Sequence, residues 1–471
     1  MVKIILLIII LFLLKTKPNL KKVNMRYTFI FIMSFLFVFS CDKDDDTSQK
    51  DPYTNSVDLP EGNIFYGDVV TSSAETMEYL KTFKVTKVEG SLIIDELNLN
   101  GLSNIVEVAE NIKINSYAKQ YPINTKDRTL DGLSNLDSLS GISIIGGNLE
   151  IKSHKTLETL SGLENLKTIG GDLTLYLNSG LLNINGLISL SYVGGDATIG
   201  DQNYSSSDIL ENIDGLSGLT FVGGDLAIHT NDVITNLDGL SNVTSVGGEL
   251  IIASNDKLSS LLGLSNISQV GGSIQIRNNA ILESLEGLSN IDLLGGGILI
   301  IRNYKLGTLD YLPKLSRIEG ELIITHNFVL QSLDGLINTT SIGQSLSFYL
   351  NNELESLQGL SNIASIGGHL NIGQLYYGGN KTLQNIIDLS KLVSIGGTLS
   401  VFGNDSLMNL NGLENVNILR SGVTLRYNQV LNDFCALQSL ALNNGIVDYE
   451  VSNNAYNPNL EDLKSSDNCK Q

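Results

Sequence analysis

The chain has 471 residues, with 50 acidic against 30 basic side chains, a formal net charge of −20 and no tryptophan. So acidic a surface repels nucleic acid and anionic lipid headgroups, which argues against nucleic-acid binding as a function class. Carbohydrate-binding faces commonly use tryptophan, so its absence weighs against that role, although 17 tyrosines can serve in its place.

The first 40 residues hold six Lys/Arg and no acid, so the remainder carries 24 basic against 50 acidic residues, a net charge near −26. Two apolar runs occupy this segment, Ile4 to Leu14 and Tyr27 to Phe39. The second follows Met25-Arg26 and ends at Val38-Phe39-Ser40-Cys41. A short basic stretch, an apolar core of about 13 residues and a small residue before cysteine read as a secretory signal, too short for a comfortable membrane span. The reading starts translation at Met25 and treats residues 1–24 as upstream sequence; the alternative is an uncleaved N-terminal membrane anchor. After Cys41 come Asp42, Asp44, Asp45 and Asp46, then a Ser/Thr/Asp/Asn-rich tether to about Glu61.

Residues 62–88 read as an N-terminal cap. Gly67 to Thr71 is predicted to be a strand. Ser72-x-x-Glu75 is then a capping box for a short helix running to about Phe83.

From residue 89 to about 430 the chain repeats itself. The phrase Gly239-Leu240-Ser241-Asn242-Val243-Thr244-Ser245-Val246-Gly247-Gly248-Glu249-Leu250-Ile251-Ile252 returns at Gly263, Gly287, Gly335 and Gly359. The glycine after the Val/Ile/Leu falls at 146, 170, 194, 223, 247, 271, 295, 343, 367 and 396. Most gaps are 24 residues and two are 29, a coil plus five inserted residues. Glu89, Ala109, Glu319 and Ser421 hold the same place in degenerate coils. A fixed period in the twenties means a solenoid, whose coils bury their apolar faces only against their neighbours.

Within one coil Leu250 and Ile252 alternate with Glu249, Ile251 and Ala253, the period of a strand with one buried face. Leu258, Leu261 and Leu264 are spaced for further inward-pointing corners, and no helical stripe is present. Gly247-Gly248 marks a corner that needs either positive φ or the absence of a Cβ. Gly263 with Ser265-Asn266 suits a second turn. Nine residues after the Val/Ile/Leu stand Asn178, Asn231, Asn255, Asn279, Asn303, Asn327, Asn351, Asn404 and Asn428. Amides stacked at about 4.8 Å can satisfy a buried turn and one another. These asparagines therefore read as a structural ladder, interrupted where His154 and Leu375 fall in the slot.

The fold class expected is all-β, a parallel solenoid of about 14 coils, roughly 65 Å long at the strand spacing, with small helical caps. Residues 431–471 form the C-terminal cap: Asp433 to Asn443 as a helix, Ile446 to Val451 as a strand and Asn459 to Ser465 as a helical turn. Cys435 and Cys469 fall in this cap and are expected to form a disulfide.

The phrase Leu-x-Ser-Val-Gly-Gly-x-Leu-x-Ile-x-x-Asn, which Val243 to Asn255 follows with Val in the first place, resembles the receptor L domain. That family implies a leucine-rich-repeat-like, right-handed β-helix, and the likeness covers about 330 residues. It is specific for architecture and not for function. The cysteine-rich modules that separate L domains in growth-factor-type receptors have no counterpart here, so a receptor role does not carry over. The small residue before Cys41 resembles a bacterial lipobox, which implies Cys41 as the lipid-bearing first residue of the mature protein; Phe39 is bulkier than that pattern. The acidic run after Cys41 resembles the surface-export signal of Bacteroidota-type lipoproteins, with a solvated linker as the plainer alternative.

Chemistry is hard to find. His154, His229, His326 and His369 lie in different coils at mostly different phases, so no metal-ligand cluster is visible. No phosphate-loop lysine and no dinucleotide fingerprint occur. The expectation is a non-enzyme without cofactor or metal. Asp172, Asp196, Asp225 and Glu249 hold one position in successive coils, either to cap glycine-corner amides or to line a Ca²⁺ row. Outward-facing Ile251, Leu299, Ile301 and Ile323 are ordinary strand residues or a docking patch.

Three insertions enter just after the Leu-x-Ile strand: Asn115 to Thr129, Gly200 to Asp208 and Gly373 to Lys381. Equal phase places them on one edge of the solenoid. They contain Tyr117 and Tyr121, Tyr204, and Tyr376 and Tyr377. Tyrosine offers a rigid apolar face with a polar tip, so this edge is the candidate ligand site for a protein or glycan; the alternative is a permissive turn. The function expected is a lipid-anchored, outward-facing outer-membrane protein serving as a binding or adhesion scaffold. The rivals are a structural envelope component without a ligand and a glycan-capture lipoprotein of a nutrient-uptake system.

Overall fold

The computed structural model describes residues 63–97, 99–115, 133–201, 209–312 and 315–471. Cys41 and the tether lie outside the described residues, as do Tyr117, Tyr121 and Tyr204.

The coil that begins at Ser245 shows how the pattern folds. A two-residue strand, Ser245–Val246, meets the Gly247-Gly248 corner and leads into the four-residue strand Leu250–Ala253. A bend follows, then a single 3-10 turn at Leu262–Leu264, and the chain returns as Gln269–Val270 beside its starting strand. The longer strands build one 16-stranded sheet from Val69–Val70 to Tyr449–Ser452, and every adjacent pair runs parallel. The two-residue strands form a ten-stranded and a five-stranded parallel sheet. Leu226, Leu250, Ile274, Ile298, Leu322, Leu346 and Leu370 lie side by side across the long sheet. Ala197 pairs with Leu226, and Leu370 with Leu399, so the register continues past both insertions.

One coil's apolar set is wholly inside. Leu250, Ile252, Leu258, Leu261, Leu264, Ile267 and Val270 are all buried, each worth about 1.5–3 kcal/mol relative to exposure. The glycine corner exists because two coils cross there too closely for a side chain. A Cβ on Gly247 would sit 2.1 Å from the Gly223 carbonyl oxygen, and one on Gly263 would sit 1.9 Å from that of Leu237. Close approach, not positive φ, is what these positions require.

Positive φ occurs elsewhere, and on side chains that resist it. Leu177, Thr230, Ser254, Asn278, Arg302, His326, Leu350 and Tyr427 all take left-handed conformations. Each stands immediately before a ladder asparagine. A non-glycine residue there costs roughly 1–2 kcal/mol, and the ladder supplies the offset. Asn255 is fully buried; its side-chain oxygen accepts the Asn231 N–H (3.1 Å), and its Nδ2 donates to the Ile228 carbonyl (3.0 Å). The Asn255 N–H in turn donates to Asn279 Oδ1 (3.2 Å), and the same bonds recur at Asn279, Asn303 and Asn327.

The ladder is continuous where counting predicted gaps. His154 occupies its slot, its N–H donating to Asn178 Oδ1 (3.2 Å) and its ring Nε2 lying 3.0 Å from the Ile114 carbonyl oxygen. In the other coil the slot belongs to Asn380, not Leu375. Asn351 donates to Asn380 Oδ1 and Asn380 donates to Asn404 Oδ1, while Leu375 is exposed in the inserted loop. The five extra residues fall before the slot, so a fixed count from Ile366 stops short of it. Asn454 extends the ladder into the C-terminal cap, accepting the Asn428 N–H at 3.0 Å.

A second ladder runs along the glycine corner and accounts for the acidic row. Asp196 N–H donates to Asp172 Oδ1 (2.9 Å), Asp225 N–H to Asp196 Oδ1 (2.8 Å) and Glu249 N–H to Asp225 Oδ1 (2.7 Å). Asn111, Asn148, Ser273, Ser345 and His369 do the same work in other coils. Asp172, Asp196 and Asp225 thus each meet a backbone amide proton from the next coil, and Glu249 accepts from the Gln275 side chain instead (2.6 Å), which offsets the repulsion along the stack.

The N-terminal helix spans Ala74–Phe83, and its cap is Ser73, whose side chain accepts the Thr76 N–H. The capping box expected on Ser72 therefore shifts by one residue. Ser72 is held instead by Asp95, which accepts from both its N–H and its hydroxyl. At the other end a 3-10 turn, Cys435–Leu437, continues into a short helix, Gln438–Leu442, followed by the strand Tyr449–Ser452. The strand begins three residues later than expected. Cys435 and Cys469 lie at disulfide distance, their Cα atoms 4.9 Å apart.

Candidate functional site

Four chain segments, not one, build the candidate edge. The strand Leu370–Ile372 ends the regular part of its coil, and the inserted residues loop out before the chain rejoins the ladder at Asn380. Gln374 and Gly378 close the loop with reciprocal backbone bonds of 2.9 and 2.8 Å. Gly378, at φ +95°, makes the return possible. Tyr376 projects from the tip, 87% exposed, and Tyr377 is 55% exposed.

Tyr377 meets rings from the two preceding coils. It lies 6.1 Å from Tyr349, nearly parallel at 8°, and 5.7 Å from His326, edge to face at 71°. His326 also contacts Tyr349 at 5.5 Å and Phe328 at 6.4 Å. Phe328 stacks on Tyr304 at 5.3 Å and 9°. Tyr304 and Phe328 each follow a ladder asparagine, so the coil repeat sets them one above the other. The rings therefore run from the Asn303 coil to the Asn380 coil, three steps of about 4.8 Å, or roughly 14 Å. Stacked and T-shaped pairs at these separations are the arrangements aromatic quadrupoles favour.

Burial, assisted by the Arg302 guanidinium, pushes the His326 imidazole below its ordinary pKa, so it is neutral at pH 7. On the same coils three polar atoms are buried without a hydrogen-bond partner: His326 Nδ1, Asn352 Oδ1 and Gln374 Oε1. Asn352 continues the column of Tyr304 and Phe328, and Gln374 belongs to the loop that carries Tyr377. Rings with unsatisfied polar atoms between them can hold a ligand that offers both an apolar face and hydrogen-bond donors.

Of the five tyrosines expected on this edge, the structure describes Tyr376 and Tyr377 and brings only Tyr377 against other rings. Sequence reasoning missed Tyr304, His326, Phe328 and Tyr349. Their signal was present, since 304 and 328 hold one repeat position, but it appears only when coils are aligned in columns. Ile251, Leu299 and Ile323 share one outward column of the long sheet, with Gln275 between the first two. Each is half-buried by its neighbours. His229 and Arg277 flank Ala253 in the adjacent outward column. Burial above all, then Arg277, lowers the His229 pKa to about 4. Among the described residues no group of three or more His, Cys, Asp or Glu is placed to hold a metal ion, and no helix is long and apolar enough to cross a membrane.

The chain matches no model of a known protein family, and no curated protein matches it.

Proposed function

We propose that this protein is a lipid-anchored cell-surface scaffold that binds a ligand without turning it over. The architecture we assign is a right-handed solenoid of the receptor-L-domain type, with about 14 coils of 24 residues. Cys41 is its lipid-bearing residue in this reading, and the acidic tether after it holds the solenoid away from an outer membrane. One observation carries the binding role: the loop of the Gly373 insertion adds Tyr377 to rings from neighbouring coils, making a continuous aromatic edge with Tyr376 exposed at its tip. Coils needed only as a spacer would have no use for exposed rings, which cost solubility. The test uses beads coated with the protein on surfaces bearing mucin, fibronectin or neutral polysaccharide. Wild-type beads should be retained on at least one surface and Tyr376→Ala/Tyr377→Ala beads released from it. Equal retention of both would reject the edge as the binding site.

A further inference from the structure

The chemistry of the same edge says what it binds, and this step rests on the binding role assigned above. We infer that the edge formed by Tyr304, His326, Phe328, Tyr349, Tyr376 and Tyr377 is a subsite for a neutral glycan. The sugar's C–H faces would lie on the exposed rings, and its hydroxyls would pair with the unpartnered polar atoms of half-buried Asn352, Gln374 and His326 once those side chains turn outward.

Three observations favour a sugar over a peptide. The first is the polar complement. Asn352 Oδ1 and Gln374 Oε1 are acceptors without donors, and a pyranose supplies a hydroxyl donor on nearly every carbon around an apolar face. Each hydroxyl also accepts, so it can pair with His326 Nδ1 in either tautomer. The second is shape. Tyr304, Phe328, Tyr376 and Tyr377 are exposed in a row that spans roughly 14 Å, which suits the flat faces of a sugar chain. The third is the backbone. The long-sheet strands beside this rim, Leu322–Thr325 and Leu346–Tyr349, are paired on both sides, so no free edge is offered to a peptide strand.

The His229 and Arg277 stretch of the outward column, which continues through Ile301 and Thr325 to Tyr349 of this edge, is a weaker candidate, since its own ring, His229, is buried. The half-buried Ile251, Leu299 and Ile323 column carries no feature that identifies a partner.

The experiment is affinity electrophoresis of the exported full chain in gels containing soluble α-mannan, xyloglucan, arabinoxylan, laminarin or dextran. Isothermal titration follows with oligosaccharides cut from the polymer that retards it. Wild type should be retarded by at least one of these. Tyr376→Ala/Tyr377→Ala should weaken the oligosaccharide affinity on the order of tenfold, the loss expected of two stacking faces. Asn352→Leu/Gln374→Leu should weaken it severalfold while leaving the rings in place. Tyr192→Ala, which breaks a stacked pair with Phe221 on the short-strand sheet, should bind as wild type does. Circular dichroism and melting temperature check that each variant is folded. Retardation that survives all four edge substitutions would overturn both the glycan subsite and the edge reading. No retardation of wild type by any polymer, with edge-dependent retention on fibronectin, would overturn the glycan and leave the edge as a protein site. No retardation and no retention would overturn both.

Discussion

Removing one rung of the asparagine ladder should cost more than removing a surface hydrogen bond, because it strands an amide inside the protein. Asn279 is fully buried. Its Oδ1 accepts the Asn255 N–H at 3.2 Å and the Asn255 side chain at 3.3 Å, and its Nδ2 donates to the Ile252 carbonyl at 3.0 Å. In Asn279→Ala the Asn255 N–H is left buried without a partner, at about 1–3 kcal/mol, and the Ile252 bond adds about 1 kcal/mol. The sum is about 2–4 kcal/mol before any cavity term. Asn279→His should recover part of it, since His154 fills the same slot in another coil. Asn266→Ala is the control. Its Nδ2 donates to the Ser241 carbonyl in an exposed turn, where water replaces the bond and the loss should stay under about 1 kcal/mol. The assay is urea unfolding followed by far-UV circular dichroism, with hydrogen exchange at the Asn255 amide as the local readout. If Asn279→Ala loses no more than Asn266→Ala, and the Asn255 amide stays as protected as in wild type, the account of the ladder is wrong.

Five further outcomes are expected. Gly247→Ala should destabilise by about 1–3 kcal/mol or more, because its Cβ would sit 2.1 Å from the Gly223 carbonyl oxygen. By contrast Ser254→Gly, at φ 57°, should be neutral or stabilise by up to about 1 kcal/mol, since glycine adopts that conformation without strain; urea midpoints compare the two. Opening the Cys435–Cys469 bridge frees a loop of 34 residues, and Cys435→Ser/Cys469→Ser should lose about 3–4 kcal/mol from the C-terminal cap, seen as earlier proteolysis of that end. His229 has a folded pKa near 4, below its ordinary value of 6.5. The unfolded chain therefore binds the extra proton first, stability is full above about pH 6.5, and it falls as pH drops toward 4; His229→Gln should flatten that limb of the melting-temperature profile. Cys41→Ser should abolish fatty-acid labelling and leave the protein soluble or unprocessed, and unchanged labelling would remove the lipid-anchor proposal.

Much of the fold is legible in the chain because each coil repeats one local solution. Alternation at Leu250 and Ile252, leucines at 258, 261 and 264 and the recurring asparagine are short-range patterns, and they state which side of each segment faces inward. Legibility fails where a long-range contact decides. Leu177 or Arg302 gives no sign of a left-handed backbone, since the bonds that hold them there come from the next coil's asparagine. Counting along the insertion put Leu375 in the ladder, whereas hydrogen-bond geometry selects Asn380. The chain alone left a cation row open beside the capping of glycine-corner amides, and the neighbouring amides decide for capping.

The candidate site divides in the same way. That the insertion leaves the coil at one phase, and carries tyrosines, follows from the chain alone: a repeat converts sequence position into position around the axis. Which rings Tyr377 meets does not follow, because His326 and Tyr349 reach it only through the stacking of three coils about 4.8 Å apart. The coil, its buried face and its ladder are readable from the chain because they depend on a pattern that every repeat copies. Where the extra residues loop out, which backbone positions are strained and which aromatic side chains form one surface depend on contacts between coils that no single repeat contains, so they emerge only in the folded molecule.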